Sequence, residues 1–146
     1  MDTDVAKPRI VVGVDGSPSS HSAVRWAARY AALVGGGVDA VAAWELSGLE
    51  AWSAPAVDID FDEEAARQRL TADLQEALGE AACSVRALLV RGHPVDVLLR
   101  AAEGAEALVV GSHGRGGFAR ALLGSVSQQV AQHAGCPVVI VRADAP

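Results

Sequence analysis

Apolar residues fall into short unbroken runs, separated by longer stretches where they recur every three or four positions. Arg9 to Val14 is nearly all apolar and β-branched, which predicts a strand buried on both faces. Ser17-Pro18 then reads as an N-cap followed by proline at the first helical position. Ala23, Trp26, Ala27, Tyr30, Ala31 and Val34 form one helical stripe, which Gly35-Gly36-Gly37 stops. Val38 to Trp44 predicts the second strand, and Leu70, Leu74, Ala77, Leu78 and Ala81 mark a second helix. Ser84 to Val90 is expected as the third strand. A helix with Val95, Leu98, Leu99 and Ala102 inward opens at His93-Pro94. Ala105 to Val110 and Pro137 to Val141 complete five strands, with a fourth helix over Val126 to Ala134 between them. Strands alternating with helices predict an α/β fold, a parallel sheet with right-handed crossovers and helices on both faces.

Composition narrows the class. One domain over 1–146 suits 146 residues, with 1–8 a flexible N-terminus and 45–61 a mobile connection rich in acidic, proline and serine residues. Trp52 is that connection's main apolar anchor, able to cap a ligand or pack on a partner. Net charge is −6 with no Lys/Arg-rich run, so no nucleic-acid partner is expected. No apolar stretch approaches the roughly 20 residues that span a bilayer, so no membrane partner is expected either. The acidic start Met1-Asp2-Thr3-Asp4 lacks the layout of a secretion signal, and the expected setting is cytoplasmic. Cys83 and Cys136 have no Cys-x-x-Cys partner and are expected as buried, inert thiols.

Chemistry concentrates after the fourth strand. Gly111-Ser112-His113-Gly114, then nine residues to Gly124-Ser125, link a strand to a helix. Glycines let the backbone approach a ligand or take positive φ, and a helix start offers unpaired N–H groups and the positive end of the dipole. A phosphate chain fits such a pocket. The loop is not a Walker A sequence, because no Gly-Lys-Ser/Thr is present, and Gly13-Val14-Asp15-Gly16 lacks the three-glycine dinucleotide pattern.

The spacing G-x2-G-x9-G-S instead resembles the nucleotide-binding signature of the universal stress protein family. Gly114-Arg115-Gly116-Gly117-Phe118, Leu122-Leu123-Gly124-Ser125-Val126-Ser127, Val12-Gly13-Val14-Asp15-Gly16-Ser17, Gly92-His93-Pro94 and Cys136-Pro137-Val138-Val139-Ile140-Val141 extend the likeness over nearly the whole chain. The resemblance implies an open, Rossmann-like five-stranded sheet of order 3-2-1-4-5, with ligand at the switch point between strands 1 and 4. It implies nucleotide contacts from Gly13, Val14 and Asp15, and from Gly111, Ser112, Gly114, Arg115, Gly124, Ser125, Val126 and Ser127. Adenine would lie on the backbone of Ala43, next to Ala42 where the family commonly reads histidine. It further implies a homodimer through Val138, Val139, Ile140 and Val141, which as an apolar edge strand would need covering.

A carboxylate beside phosphates is sensible if Asp15 meets ribose hydroxyls, or reaches phosphate through Mg²⁺. Its structural alternative is capping the first helix, a task for which Ser17 is better placed. Arg115 and Arg120 are cations that can pair with phosphate or remain solvated. His113 can serve as a proton carrier near neutral pH, but with no carboxylate or nucleophile at readable sequence spacing it reads as a loop residue, and His21, His93 and His133 are too scattered to suggest a metal site. The cluster Asp58, Asp60, Asp62, Glu63 and Glu64 lacks the EF-hand glycine and reads as a solvated helix start. The leading expectation is an ATP-binding stress-response module. Its alternatives are a slow Mg-dependent ATPase, for which no base is legible, and an interaction protein that needs no nucleotide.

Overall fold

The computed structural model describes residues 6–45, 56–114 and 123–143, and of 56–61 the helical backbone alone. The apolar runs become β1 (Arg9–Gly13), β2 (Gly37–Trp44), β3 (Arg86–Arg91), β4 (Ala107–Gly111) and β5 (Val138–Val141). They form one sheet of order β3-β2-β1-β4-β5, and every neighbouring pair is parallel. Alternation along β1 divides the core in two. Ile10 and Val12 join Ala23, Val24 and Leu70 on one face, while Val11 joins Val95, Leu98 and Val130 on the other. Helices α1 (Pro18–Val34) and α2 (Ala56–Leu78) cover the first face; α3 (Pro94–Ala101) and α4 (Ser125–His133) cover the second.

Local signals act as their chemistry requires. The Ser17 hydroxyl accepts from Ser20 N–H at 3.2 Å, Pro18 takes the first helical position, and Gly35 closes α1 at φ 70°. The stripe of α1 buries Ala23, Ala27 and Ala31, while Trp26 and Tyr30 stack at its margin with centroids 5.0 Å apart. Val34 is 37% exposed, so the stripe ends before the helix does.

Three boundaries differ from expectation. α2 begins at Ala56, inside the connection expected over 45–61; residues 46–55, Trp52 among them, lie outside the described residues. Pro8, assigned to a flexible N-terminus, is tied to the sheet, its carbonyl accepting from Gly37 N–H at 2.9 Å. β3 starts at Arg86, because Gly79–Ser84 turns as a 3-10 helix. Cys83 lies in that turn and is exposed, its thiol directed at the Glu80 carbonyl, and Cys136 is only half-buried. The expectation of two buried thiols is therefore corrected. Apolar runs count strand residues well, but a turn of small residues (Gly79, Ala81, Ala82) imitates them.

A charged clasp locks the amino edge of the sheet, opposite the carboxyl ends of the strands. Asp39 is buried and receives Arg86 Nε and Nη2, each at 3.1 Å. Arg9 stands 3.5 Å from the same carboxylate and donates to the carbonyls of Ala101 and Glu103 at 2.7 and 2.6 Å. The arginine side chains are 67% and 35% exposed, so losing the carboxylate costs less than the ~3–5 kcal/mol of a fully buried pair. Asp39→Ala is expected to lose about 2 kcal/mol, which lowers the melting temperature by about 4–8 °C. Ligand affinity should stay unchanged, and calorimetric melting beside a binding titration checks both.

Candidate functional site

β1 leads to β2 on one side, β4 leads to β5 on the other, and the crevice opens where their loops part. A cavity of about 610 Å³ occupies it, within the range of small-molecule sites. Of the residues singled out from sequence, Gly13, Val14, Asp15, Ala43, Gly111, Gly114 and Gly124 line this cavity, joined by Ser125, Val126 and Ser127. Ser112 does not line it: the side chain is buried, 3.1 Å from His113 Nδ1. Arg115 and Arg120 lie outside the described residues.

The first turn of α1 holds the two loops together. Asp15 Oδ1 accepts from Ser17 N–H at 2.9 Å, and Asp15 N–H donates to the Ser20 hydroxyl at 3.1 Å. Ser19 crosses to the other loop, donating to the His113 carbonyl at 2.7 Å and accepting from His113 N–H at 3.2 Å. Ser17, Ser19 and Ser20 thus have three separate tasks: capping the helix, clamping the β4 loop and clamping the β1 loop. Only the first was legible: the Ser20 contact spans five residues but depends on how the β1–α1 turn folds, and the Ser19 clamp needs β4 packed beside α1.

None of the signature glycines has positive φ. Their need is closeness. A Cβ on Gly111 would overlap the Ser19 hydroxyl and come within 2.7 Å of the Ser19 carbonyl carbon and Ser20 nitrogen. A Cβ on Gly114 would lie 2.9 Å from Asp15 Oδ2, so that carboxylate oxygen faces the signature loop. Of the two reasons for glycine given from sequence, close approach holds here and positive φ does not.

The start of α4 is open. Gly124 N–H, expected to hold phosphate, is already committed to the Ser112 carbonyl at 2.6 Å. The Ser127 hydroxyl is also committed, donating toward the carbonyls of Ser112 and Gly124 at 3.1 and 3.0 Å. These bonds fix the helix to the loop. The first helical bond closing this turn runs from Gln128 N–H to the Gly124 carbonyl, and no side chain caps the helix. The amides of Ser125, Val126 and Ser127 therefore have no partner within α4, and all three residues line the cavity.

The opposite wall is a strand edge. The β1–β2 ladder ends at Gly13 opposite Val41, with Val14 N–H donating to the Val41 carbonyl at 2.9 Å. Backbone groups alternate sides along a strand, so Ala43 presents its N–H and C=O past the end of β1. Ala42 and Trp44 turn theirs to β3, as the bond from Gly92 N–H to the Trp44 carbonyl shows. Leu89, Leu98 and Val110 add apolar lining. α2 contributes Arg69 and Asp73, which sequence reasoning missed. Their only signal is a position one helical turn apart beside the buried stripe Leu70–Leu74, and this cannot say which strand ends they meet.

Comparison with known proteins locates this architecture. The family model described as "Universal stress protein family" matches residues 8–142. A universal stress protein of Mycobacterium tuberculosis is 37% identical over 156 residues, covering 96% of this chain and 51% of that protein. The chain thus spans about half the length of such relatives. Among solved structures, a universal stress protein in complex with cAMP is 32% identical with a TM-score of 0.61, covering 95% of this chain and 99% of that one. The universal stress protein from Archaeoglobus fulgidus in complex with dAMP is 26% identical with a TM-score of 0.61, covering 94% and 98%.

Proposed function

Because the chain belongs to the universal stress protein family, we propose that it is an ATP-binding stress-response module of the cytoplasm, whose nucleotide occupancy alters its affinity for partners. The observation that carries this reading is the uncapped start of α4, with Ser125, Val126 and Ser127 lining a cavity whose far wall is the Ala43 strand edge with Leu89, Leu98 and Val110 beside it. The polyanionic tail lies on those amides and the Ser125 hydroxyl. Adenine lies against Val14 and the free edge of Ala43, whose N–H and C=O suit a donor–acceptor pair on a purine. The related complexes with cAMP and dAMP support an adenine nucleotide as guest.

Asp15 fits a role at the middle of the ligand. One carboxylate oxygen is held by Ser17 N–H, and the other faces Gly114, where it can meet a ribose hydroxyl or a phosphate-bound Mg²⁺. Mg²⁺, when bound with ATP, would neutralise phosphate charge; the chain's part is to orient the tail with α4. Arg69 is a cation at the same cavity and compensates charge from the α2 side.

Slow hydrolysis is the second reading. It gains support from Asp15 and Arg69 at the cavity. Two subunits pairing along β5 is the proposed assembly. β5 bonds to β4 on one side and ends the sheet on the other, leaving a row of backbone groups available.

The test is mass spectrometry of ligand released from gently purified protein, followed by calorimetric titration with ATP and AMP. ATP is expected to bind more tightly than AMP, since the outer phosphates meet the α4 amides. Equal affinities would show that the tail is not held there, and no binding of either would remove the nucleotide reading. Phosphate release over many turnovers, measured on the same sample, separates module from ATPase.

A further inference from the structure

His21 stands on the first turns of α1, while Asp73 and Glu76 lie three residues apart on one side of α2. Packing of the two helices brings the three side chains together across a gap of 52 residues. His21 Nε2 is 3.3 Å from Asp73 Oδ1 and 4.0 Å from Glu76 Oε2, and all three atoms lie within 4.8 Å of one another. The His21 and Asp73 side chains are only 13% and 17% exposed, whereas Glu76 is 72% exposed.

His21 and Asp73 are within hydrogen-bond distance, and a second carboxylate, Glu76, approaches the same nitrogen. A charge-assisted N–H···O bond settles near ~2.7–2.9 Å, and one Nε2–H serves one acceptor well, yet two carboxylates converge on it. Ligand atoms around a tetrahedral ion with bonds of about 2.0–2.2 Å sit about 3.3–3.6 Å apart. The His21–Asp73 separation already matches, and Glu76 reaches it by a small rotation of an exposed side chain. One imidazole with two carboxylates suits a borderline ion such as Zn²⁺ or Co²⁺; Ca²⁺ and Mg²⁺ prefer all-oxygen sets.

We propose that His21, Asp73 and Glu76 form a divalent transition-metal site of the Zn²⁺ class, joining α1 to α2 at the edge of the cavity. The site is independent of the nucleotide reading, since it needs no residue from the signature loop. Asp73 also lines the cavity, so the ion would stand one side chain away from a ligand there.

The experiment uses the full chain, tag removed and nucleotide stripped, titrated with Zn²⁺ against a competing chelator and with Co²⁺ by visible absorption. One equivalent is expected to bind, with the intense d–d bands of a tetrahedral site. Glu76→Gln and His21→Asn should each weaken Zn²⁺ by about 100-fold or more, given that even outer-sphere partners of metal ligands are worth about 10–100-fold. Glu76 is exposed, so that variant keeps the test valid should the histidine variant fold poorly. Cys83→Ser and His133→Ala should bind as the parent does. Failure to bind one equivalent, binding unchanged in Glu76→Gln, or binding lost in Cys83→Ser or His133→Ala would each overturn the proposal.

Discussion

Ser125→Glu is expected to weaken ATP binding by about 100-fold and leave the fold intact. Ser125 is exposed at the first position of α4, and an acidic residue there is mildly favourable to the helix itself, by about 0.3–1 kcal/mol. The new carboxylate would occupy the amide cluster meant for phosphate. Like charges brought together at a binding site cost several kcal/mol, and about 3 kcal/mol corresponds to a factor on the order of 100. Ser125→Ala should cost about tenfold at most, because it removes one hydroxyl and keeps the amides. Calorimetric titration of both variants measures the difference. Equal affinity in parent and glutamate variant would place the polyanion elsewhere. Gly124→Glu is a poorer probe: a Cβ there comes within 3.2 Å of Gly114 N and His113 Cα, so changes in loop packing would mix with loss of contact.

Gly111→Ala should produce the largest loss of stability among Gly111, Gly114 and Gly124, about 3 kcal/mol, or about 6–12 °C in melting temperature. The atoms a methyl would meet at 2.7 Å belong to the α1 backbone, so no side-chain rotation relieves the overlap. α1 would have to shift, and the Ser19–His113 bonds that join the two loops would lengthen. Nucleotide affinity should therefore fall together with stability. Gly135→Ala, where a Cβ meets nothing within 4 Å, is the matched control and should stay within about 0.5 kcal/mol. Thermal denaturation of the pair decides the matter: equal melting temperatures would mean α1 does not press on β4 as described.

Much of the architecture was legible because its signals are local. β1 announces itself by Ile10, Val11 and Val12, all fully buried, and α1 by Ser17-Pro18 at one end and Gly35 at the other. Strand order came from resemblance rather than periodicity, since an apolar run does not specify its neighbours. The cavity loops were legible too, from the spacing of Gly111, Gly114, Gly124 and Ser125. Their division of labour was not. Gly124 N–H and the Ser127 hydroxyl hold the loop to α4, and the amides left for a ligand begin one residue later.

The remaining surprises share one cause, separation along the chain. Ser19 meets His113 across 94 residues and Arg86 meets Asp39 across 47, and no window of sequence contains both partners. Arg69 and Asp73 reach the cavity only because α2 packs beside α1 on the same face of the sheet.

By itself, then, the chain determined where its strands and helices form, since propensity, caps and apolar period act within a turn or two of each residue. It also determined that a glycine-bearing loop and then a helix would follow β4. Tertiary structure alone decided which amides remain unpaired, which carboxylate faces the loop and which helix supplies a cation. Those outcomes depend on distances between elements, which arise when the two faces of the sheet are packed and not before.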